Sequence, residues 1–109
     1  MTATPDELTA EAGRWLRFAA EDLRAAETLR SAPGVASRHV ATLAQQSAEK
    51  ALKAGLVPLD IDPPRTHNLA LLADLLPDDW AVHEVLADAR DVVAMMSADL
   101  SARGVASAT

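Results

Sequence analysis

Apolar residues recur at three- and four-residue steps along most of the chain, which is the spacing of an amphipathic α-helix. Thr4 is the expected N-cap of the first helix, Pro5 suits its first position, and Glu7 can close a capping box. Pro33 and Gly34 end the element. The pattern therefore predicts a long first helix over residues 5–30, with this apolar stripe: Leu8, Ala12, Trp15, Leu16, Ala19, Leu23 and Ala26.

A second helix is predicted over about residues 35–56. At about 100° per residue, its small residues fall on one line, which we call the small-residue ridge. The ridge consists of Ala44, Ala48, Ala51 and Gly55. Small side chains let a neighbouring helix approach to about 8–10 Å. The opposite arc is polar and contains Thr42, Gln46, Glu49, Lys50 and Lys53.

The prolines of residues 58–64 predict an extended connection. A short helix with Thr66 as its N-cap should follow, carrying Leu69, Leu72, Leu75 and Leu76. Asp78 and Asp79 should cap a last helix, whose periodic residues are Val82, Val85, Leu86, Ala89, Val93, Met96 and Leu100. Residues 101–109 are small and polar, and we expect them to fray. The whole pattern predicts an all-α, antiparallel up-and-down bundle of about four helices, as one domain over residues 1–109 with an ordered core of about 5–101.

Composition supports the helical prediction and narrows the function. Half of the residues are apolar, but these are mainly Ala and Leu, which favour helices over sheets. The chain has no Cys, no secretory signal and no apolar run of about 20 residues, so we expect a cytoplasmic protein that does not enter a membrane. A net charge of −6 argues against broad affinity for nucleic acids. Only residues 32–57 carry a positive charge balance, so anion contacts are expected there and in the following loop.

Two runs in the middle of the chain resemble a known family. They are Gln45-Gln46-Ser47-Ala48-Glu49-Lys50-Ala51-Leu52-Lys53-Ala54 and Pro63-Pro64-Arg65-Thr66-His67-Asn68-Leu69, the latter followed by Leu71-Leu72. With Trp15 and residues 20–26 of the first helix, they resemble prokaryotic HEPN domains (higher eukaryotes and prokaryotes nucleotide-binding) over residues 14–76. The resemblance implies a helical bundle that is usually a symmetric dimer. It also implies a minimal nucleotidyltransferase as partner, in a toxin–antitoxin-like pair.

Some HEPN proteins are metal-independent ribonucleases, whose motif is an Arg followed after about four to six residues by a His. The histidines here are His39, His67 and His83, and none of them follows an Arg at that spacing. The chain also has no Tyr, and so lacks the Arg-Tyr-Pro segment common near the C-terminus of such domains. We therefore predict no catalytic residue. The sequence also predicts no metal site and no cofactor, because it lacks zinc-ligand spacing, a calcium loop and a Gly-rich phosphate loop.

Four side chains form the predicted nucleotide or partner site: Lys50, Lys53, Arg65 and His67. Arg65 and His67 are expected to open the third helix, where backbone N–H groups favour anions. The alternative is that Thr66 caps and both bond to groups of the Pro-rich loop. Lys50 and Lys53 fit either phosphates and an acidic partner surface, or a solvated face with an intrahelical ion pair to Glu49. Gln45 and Gln46 are expected to order a dimer interface or to cap a buried carbonyl.

The leading interpretation is a non-catalytic, homodimeric HEPN-type module that binds a nucleotidyltransferase or a nucleotide. The small-residue ridge, together with Trp15 and Trp80 as core or interface anchors, predicts the dimer. One alternative is a metal-independent endoribonuclease toxin with His67 or His39 as acid or base and Arg65 at the phosphate. Against it, residues 65 and 67 would lie about 200° apart on a helix and share no face. The other alternative is a helical interaction or scaffold protein without a ligand.

Overall fold

The computed structural model describes residues 3–84 and 88–105, and in that part of the chain it contains helices and turns but no strand. The helices are α1 (Pro5–Arg30), α2 (Ser37–Leu56), α3 (Leu69–Asp74) and α4 (Ala89–Ser101), with short 3₁₀ turns at Val57–Leu59 and Ala81–Glu84. The helices pack against one another, so the predicted all-α class is confirmed. None of the described helices is both long enough and apolar enough to span a membrane.

The first helix begins and ends where the sequence predicts. The Thr4 hydroxyl accepts a hydrogen bond from the Glu7 N–H at 3.1 Å, as an N-cap does. That hydroxyl also donates to the Glu7 carboxylate at 3.1 Å, whereas in a full capping box the carboxylate would accept from the N-cap N–H. The buried face of α1 carries Ala12, Leu16, Ala19 and Ala26.

The C-terminal half of α2 is buried on nearly all sides, because α1, α3, α4 and the turn after α2 pack against it. Its buried residues are Ser47, Ala48, Glu49, Ala51, Leu52, Ala54, Gly55 and Leu56. A Cβ at Gly55 would lie 2.3 Å from Met96 Cε and 3.1 Å from the ring of Trp80. At Gly55 the ridge thus does permit a close contact, but the partners there are Met96, Leu76 and Trp80 of the same chain.

The predicted N-cap of the third helix is wrong. The Asn68 side chain accepts the Leu71 N–H at 3.2 Å, so Asn68 caps α3 and the helix begins at Leu69. The Thr66 hydroxyl instead accepts the Asn68 N–H at 3.1 Å, which makes a local turn before the helix. Arg65 and His67 therefore lie in the connecting loop, and the 200° helical separation assumed for them does not apply.

The last helix begins later than predicted. After α3, the Trp80 N–H bonds to the Pro77 carbonyl at 3.1 Å, and His83 Nε2 lies 2.9 Å from the same carbonyl, which holds this segment in a compact turn. Asp88 then accepts the Arg90 N–H at 2.9 Å and caps α4. A side-chain cap thus starts the helix at residue 89, although the apolar spacing runs through from residue 82. Val85 and Leu86 of the predicted stripe lie outside the described residues.

Fraying is predicted over residues 101–109, and the structure describes the first five of these residues. Gly104 adopts a positive φ of 89°, which lets the Val105 N–H return to the Leu100 carbonyl at 2.9 Å. Val105 is buried, and the Arg103 guanidinium lies 4.1 Å above the Trp80 ring. This cation–π contact and the buried valine hold the chain beyond α4 against the core. Residues 106–109 lie outside the described residues.

Candidate functional site

A buried carboxylate, Glu49, is the centre of the candidate site. Its residue is 7 % exposed and lies on the side of α2 that faces the loop before α3. Lys53 Nζ lies 2.9 Å from its Oε1, and His67 Nδ1 lies 3.0 Å from its Oε2. Each carboxylate oxygen thus has one partner, which is how a buried charge is kept at low cost.

The partners of Glu49 decide its charge. Burial raises the pKa of Glu49, but hydrogen bonds from His67 and Lys53, together with the positive charges of these groups, lower it further than burial raises it. The net pKa lies below the ordinary value for a glutamic acid. Glu49 is therefore ionised at neutral pH, and its side chain can only accept hydrogen bonds.

The loop before α3 is held to α2 at a second point. Gln45 Nε2 donates to the His67 backbone carbonyl at 2.8 Å. Gln45 lies one helical turn before Glu49, so two neighbouring side chains of α2 bind the carbonyl and the ring of the same residue. The His67 side chain is nevertheless 90 % exposed. His67 is therefore fixed in position and open to a ligand at the same time.

An open groove of about 540 Å³ lies beside this cluster, between α2 and the loop. It is lined by Ala41, Thr42, Gln45, Gln46, Glu49 and His67. The Thr42 hydroxyl donates to the Arg38 carbonyl at 2.9 Å, which leaves its oxygen lone pairs for other donors. The groove is shallow and open, so it suits one edge of a ligand rather than enclosing a whole molecule.

Lys50 belongs to a different contact. Its Nζ lies 2.6 Å from Asp22 Oδ2 of α1, and both side chains are partly buried. Lys50 and Lys53 are therefore bound by carboxylates on different helices and do not form one cationic stripe. The alternative predicted an intrahelical pair of Lys53 with Glu49, and this pair is present, but the Lys53 side chain is only 15 % exposed.

Arg65 lies in the same loop as His67 and is exposed. Within the part of the chain that the structure describes, its guanidinium has no hydrogen-bond or ion-pair partner. Of the four predicted site residues, Lys53 and His67 thus meet at Glu49, Arg65 lies two residues from His67, and Lys50 lies apart.

The other histidines contribute no second cluster. His39 is exposed near the start of α2, and His83 bonds through Nε2 to the Pro77 carbonyl. Among residues 3–84 and 88–105, no group of three or more His, Asp or Glu side chains is placed to hold a metal ion.

Sequence reasoning missed two contributions to this site. Asp22 was not connected to Lys50, because a single sequence does not show which residues of α1 and α2 face each other. The Glu49–Lys53 pair is predicted from the spacing, since residues four apart on a helix are neighbours. The contact of Glu49 with His67 is not, because it joins α2 to a residue of the following loop.

The chain was compared with models of known protein families. The family model of the HEPN domain matches residues 12–97, which include the four predicted site residues, Glu49 and Gln45. Comparison with curated proteins and with solved structures gives no match. The matched range covers most of the chain and extends beyond the resemblance seen in the central runs. The chain therefore belongs to the HEPN domain family.

Proposed function

We propose that this protein is a non-catalytic HEPN binding module that takes a nucleotide at the groove between α2 and the loop before α3. It acts as a dimer beside a minimal nucleotidyltransferase, in a toxin–antitoxin-like pair. The observation that carries the proposal is the pairing of charges at the site. Two of its four predicted binding groups, Lys50 and Lys53, are bound by carboxylates of the same chain.

This pairing limits what the site attracts. His67 lines the groove, and the exposed guanidinium of Arg65, two residues before it in the same loop, is enough for one small anionic group such as a nucleotide phosphate. A nucleic-acid strand requires a row of unpaired cations, since its affinity comes from neutralising many phosphates. The net charge of −6 works against such binding as well. Recognition of a small ligand is therefore favoured over tracking of an RNA chain.

Calorimetry with ATP and GTP tests the binding site. We expect Arg65→Ala and His67→Ala each to weaken binding about tenfold, equivalent to about 1.4 kcal/mol. Arg38→Ala is the matched control, because Arg38 is an exposed arginine near the start of α2 and not in the loop that carries Arg65 and His67. Binding that is weakened equally by Arg38→Ala would show general charge attraction, and absence of binding would favour a scaffold role without a ligand.

The partner is tested separately from the ligand. We expect a reading frame for a minimal nucleotidyltransferase beside that of this protein, and we expect the two products to copurify when coexpressed. Failure of the two proteins to associate at micromolar concentration would remove the partner from the proposal while leaving nucleotide binding open to the calorimetric test.

A second candidate function is metal-independent RNA cleavage, and the Glu49–His67 contact is the observation that favours it. A carboxylate bound to one ring nitrogen leaves the other free to exchange a proton with a substrate. Under the leading proposal, single-stranded RNA incubated with the protein in EDTA stays intact. Cleavage that His67→Ala abolishes, with the helical circular dichroism spectrum unchanged, would establish the enzyme instead.

A further inference from the structure

The surroundings of His67 determine which of its ring nitrogens carries the proton. Nδ1 lies 3.0 Å from Oε2 of Glu49. An ionised carboxylate can only accept a hydrogen bond, so Nδ1 must be the donor. The neutral ring is thus the Nδ1–H tautomer, and Nε2 is the nitrogen without a proton, a hydrogen-bond acceptor.

We infer that Glu49 is a positioning residue for His67, and that Nε2 of His67 is the atom with which the groove contacts its ligand. This inference rests on the proposed nucleotide site and names the chemistry of its contact. Nε2 lies on the side of the ring away from Glu49, and His67 is one of the residues that line the groove. A neutral Nε2 is a hydrogen-bond acceptor, so the ligand group opposite it is a donor: a ribose hydroxyl or an amino group of the base.

The position of the ring has two supports. Gln45 fixes the backbone of His67 through its carbonyl at 2.8 Å, and Glu49 fixes the ring at 3.0 Å. Lys53 neutralises the other carboxylate oxygen at 2.9 Å, which keeps the carboxylate charged where it is buried. The three α2 side chains therefore act together to hold one exposed imidazole in one orientation and one tautomer.

The chain contains its own reference groups for a test. His83 Nε2 lies 2.9 Å from the Pro77 carbonyl, and a carbonyl oxygen only accepts, so His83 must be the opposite, Nε2–H tautomer. His39 is exposed, and its ring has no hydrogen-bond partner among the described residues. One spectrum can therefore compare a ring fixed by Glu49, a ring fixed the other way and a ring in solvent.

The experiment is nitrogen-15 NMR of the imidazole rings at about pH 8.5, well above the ordinary His pKa of about 6.5. We expect His67 to show a protonated Nδ1 and an unprotonated Nε2, His83 the reverse, and His39 an exchanging mixture. In Glu49→Leu we expect the His67 pattern to become like that of His39. Glu27→Leu is the matched control, because Glu27 also bonds a side chain of another element, Arg90 at 2.9 Å, but lies away from the groove.

If His67 and His39 show the same nitrogen-15 pattern in the unsubstituted protein, the inference is overturned. This outcome does not depend on whether Glu49→Leu folds. If the tautomer is as expected but ATP does not bind, positioning by Glu49 stands and the proposed nucleotide function fails. If ATP binds, its 2′,3′-dideoxy analogue and ITP locate the donor. If the dideoxy analogue binds more weakly than ATP, the donor to Nε2 is a ribose hydroxyl. If ITP binds more weakly than ATP, the donor is the amino group of the base. Equal affinity for all three overturns Nε2 as the ligand contact.

Discussion

Gly55 marks the closest approach between α2 and the residues that cover it. A Cβ built at this position would lie 2.3 Å from Met96 Cε, 3.0 Å from Leu76 Cδ2 and 3.1 Å from Trp80 Cζ3. Three different segments thus meet at one missing side chain. The Met96 methyl can move, but the leucine and the indole lie in the same buried layer and leave little free space.

We predict that Gly55→Ala destabilises the protein by about 1–3 kcal/mol, because the added methyl overpacks this layer. Gly13→Ala is the matched control, since Gly13 lies inside α1 and a Cβ there meets nothing within 4 Å. The control should stabilise by about 0.5–1 kcal/mol through the higher helix propensity of alanine. Urea unfolding followed by circular dichroism measures both changes. Stabilisation by both substitutions would mean that the layer at Gly55 is loosely packed.

Glu49 makes the stability of the fold depend on pH. Its pKa is lower in the folded chain than in the unfolded chain, so its interactions stabilise the fold fully above the unfolded value of about 4.3. That stabilisation is lost as the pH falls through the lower, folded value. We predict that the unfolding free energies of the unsubstituted protein and Glu49→Gln differ at pH 7 and converge in acid. A difference that stays constant down to about pH 2 would contradict the lowered pKa.

The residues of the candidate site were easier to select from the sequence than the contacts that they make. Of the four predicted site residues, Lys50, Lys53, Arg65 and His67, the structure brings Lys53 and His67 together at Glu49. The Glu49–Lys53 pair is predictable from its spacing, but the Asp22–Lys50 pair is not, since α2 looks amphipathic although other elements surround it. A helix rich in alanine leaves room for partners on several sides, and its polar residues then become internal contacts.

Two residues near the beginning of α3, Thr66 and Asn68, are both of a type that caps helices, but only Asn68 caps this one. Asn68 accepts the N–H of Leu71 at 3.2 Å, three residues on, which is the N-cap geometry. Thr66 accepts the N–H of Asn68 at 3.1 Å, only two residues on, which closes a turn but satisfies no helical donor. The choice between them fixes whether Arg65 and His67 belong to a helix or to a loop.

We therefore predict that Asn68→Ala costs about 1 kcal/mol of stability, as loss of an N-cap does. Thr66→Ala should cost about half as much or less, because the lost bond is exposed and local. Thermal unfolding of the two variants, measured side by side, gives the comparison. A larger loss of stability for Thr66→Ala than for Asn68→Ala would mean that Thr66 is the N-cap. Our expectation that Arg65 and His67 lie about 200° apart at the start of the helix would then apply again.

Helix bounds were predictable where a strong stop coincided with the end of the apolar pattern. Residues 5–30 have both a capping Thr4 and a Pro33-Gly34 break, and α1 ends as expected. The stretch from residue 82 to residue 100 has a continuous apolar period, yet a 3₁₀ turn and the Asp88 cap divide it. Periodicity reports which side of a segment is buried, and a short turn can keep that side buried without continuing the helix.

For the molecule as a whole, the folded chain changes the reason for expecting a dimer. Ala48, Ala51 and Gly55 of the small-residue ridge are buried within the chain, and Trp80 is buried with them. Ala44 at the end of the ridge is only partly buried. It lies in a groove of about 340 Å³, which we call the hairpin groove, where α1 ends and α2 begins. The groove is lined by Leu29, Arg30, Val35, Ser37, Val40, Ala41 and Ala44.

The hairpin groove is the surface that we expect a second copy to cover. Five of its seven lining residues are apolar, and removing apolar side chains from water favours association. In a symmetric dimer the same patch appears on both copies, so one substitution introduces two like charges into the interface. We predict that the protein elutes at twice its chain mass of 11.5 kDa, and that Ala41→Asp reduces it to a single chain. Light scattering coupled to gel filtration at micromolar concentration measures the mass directly.

The matched control for this last prediction is Leu71→Asp. Leu71 is 47 % exposed on α3, so the change adds the same charge to an apolar residue outside the hairpin groove. Its mass should equal that of the unsubstituted dimer, and circular dichroism should show that both variants remain helical. If Leu71→Asp dissociates the dimer and Ala41→Asp does not, the interface lies on the α3 side, next to the loop that carries Arg65 and His67. A mass of 11.5 kDa for the unsubstituted protein would mean that it is a monomer, which would contradict the prediction. The groove beside His67 would then be formed by one chain alone.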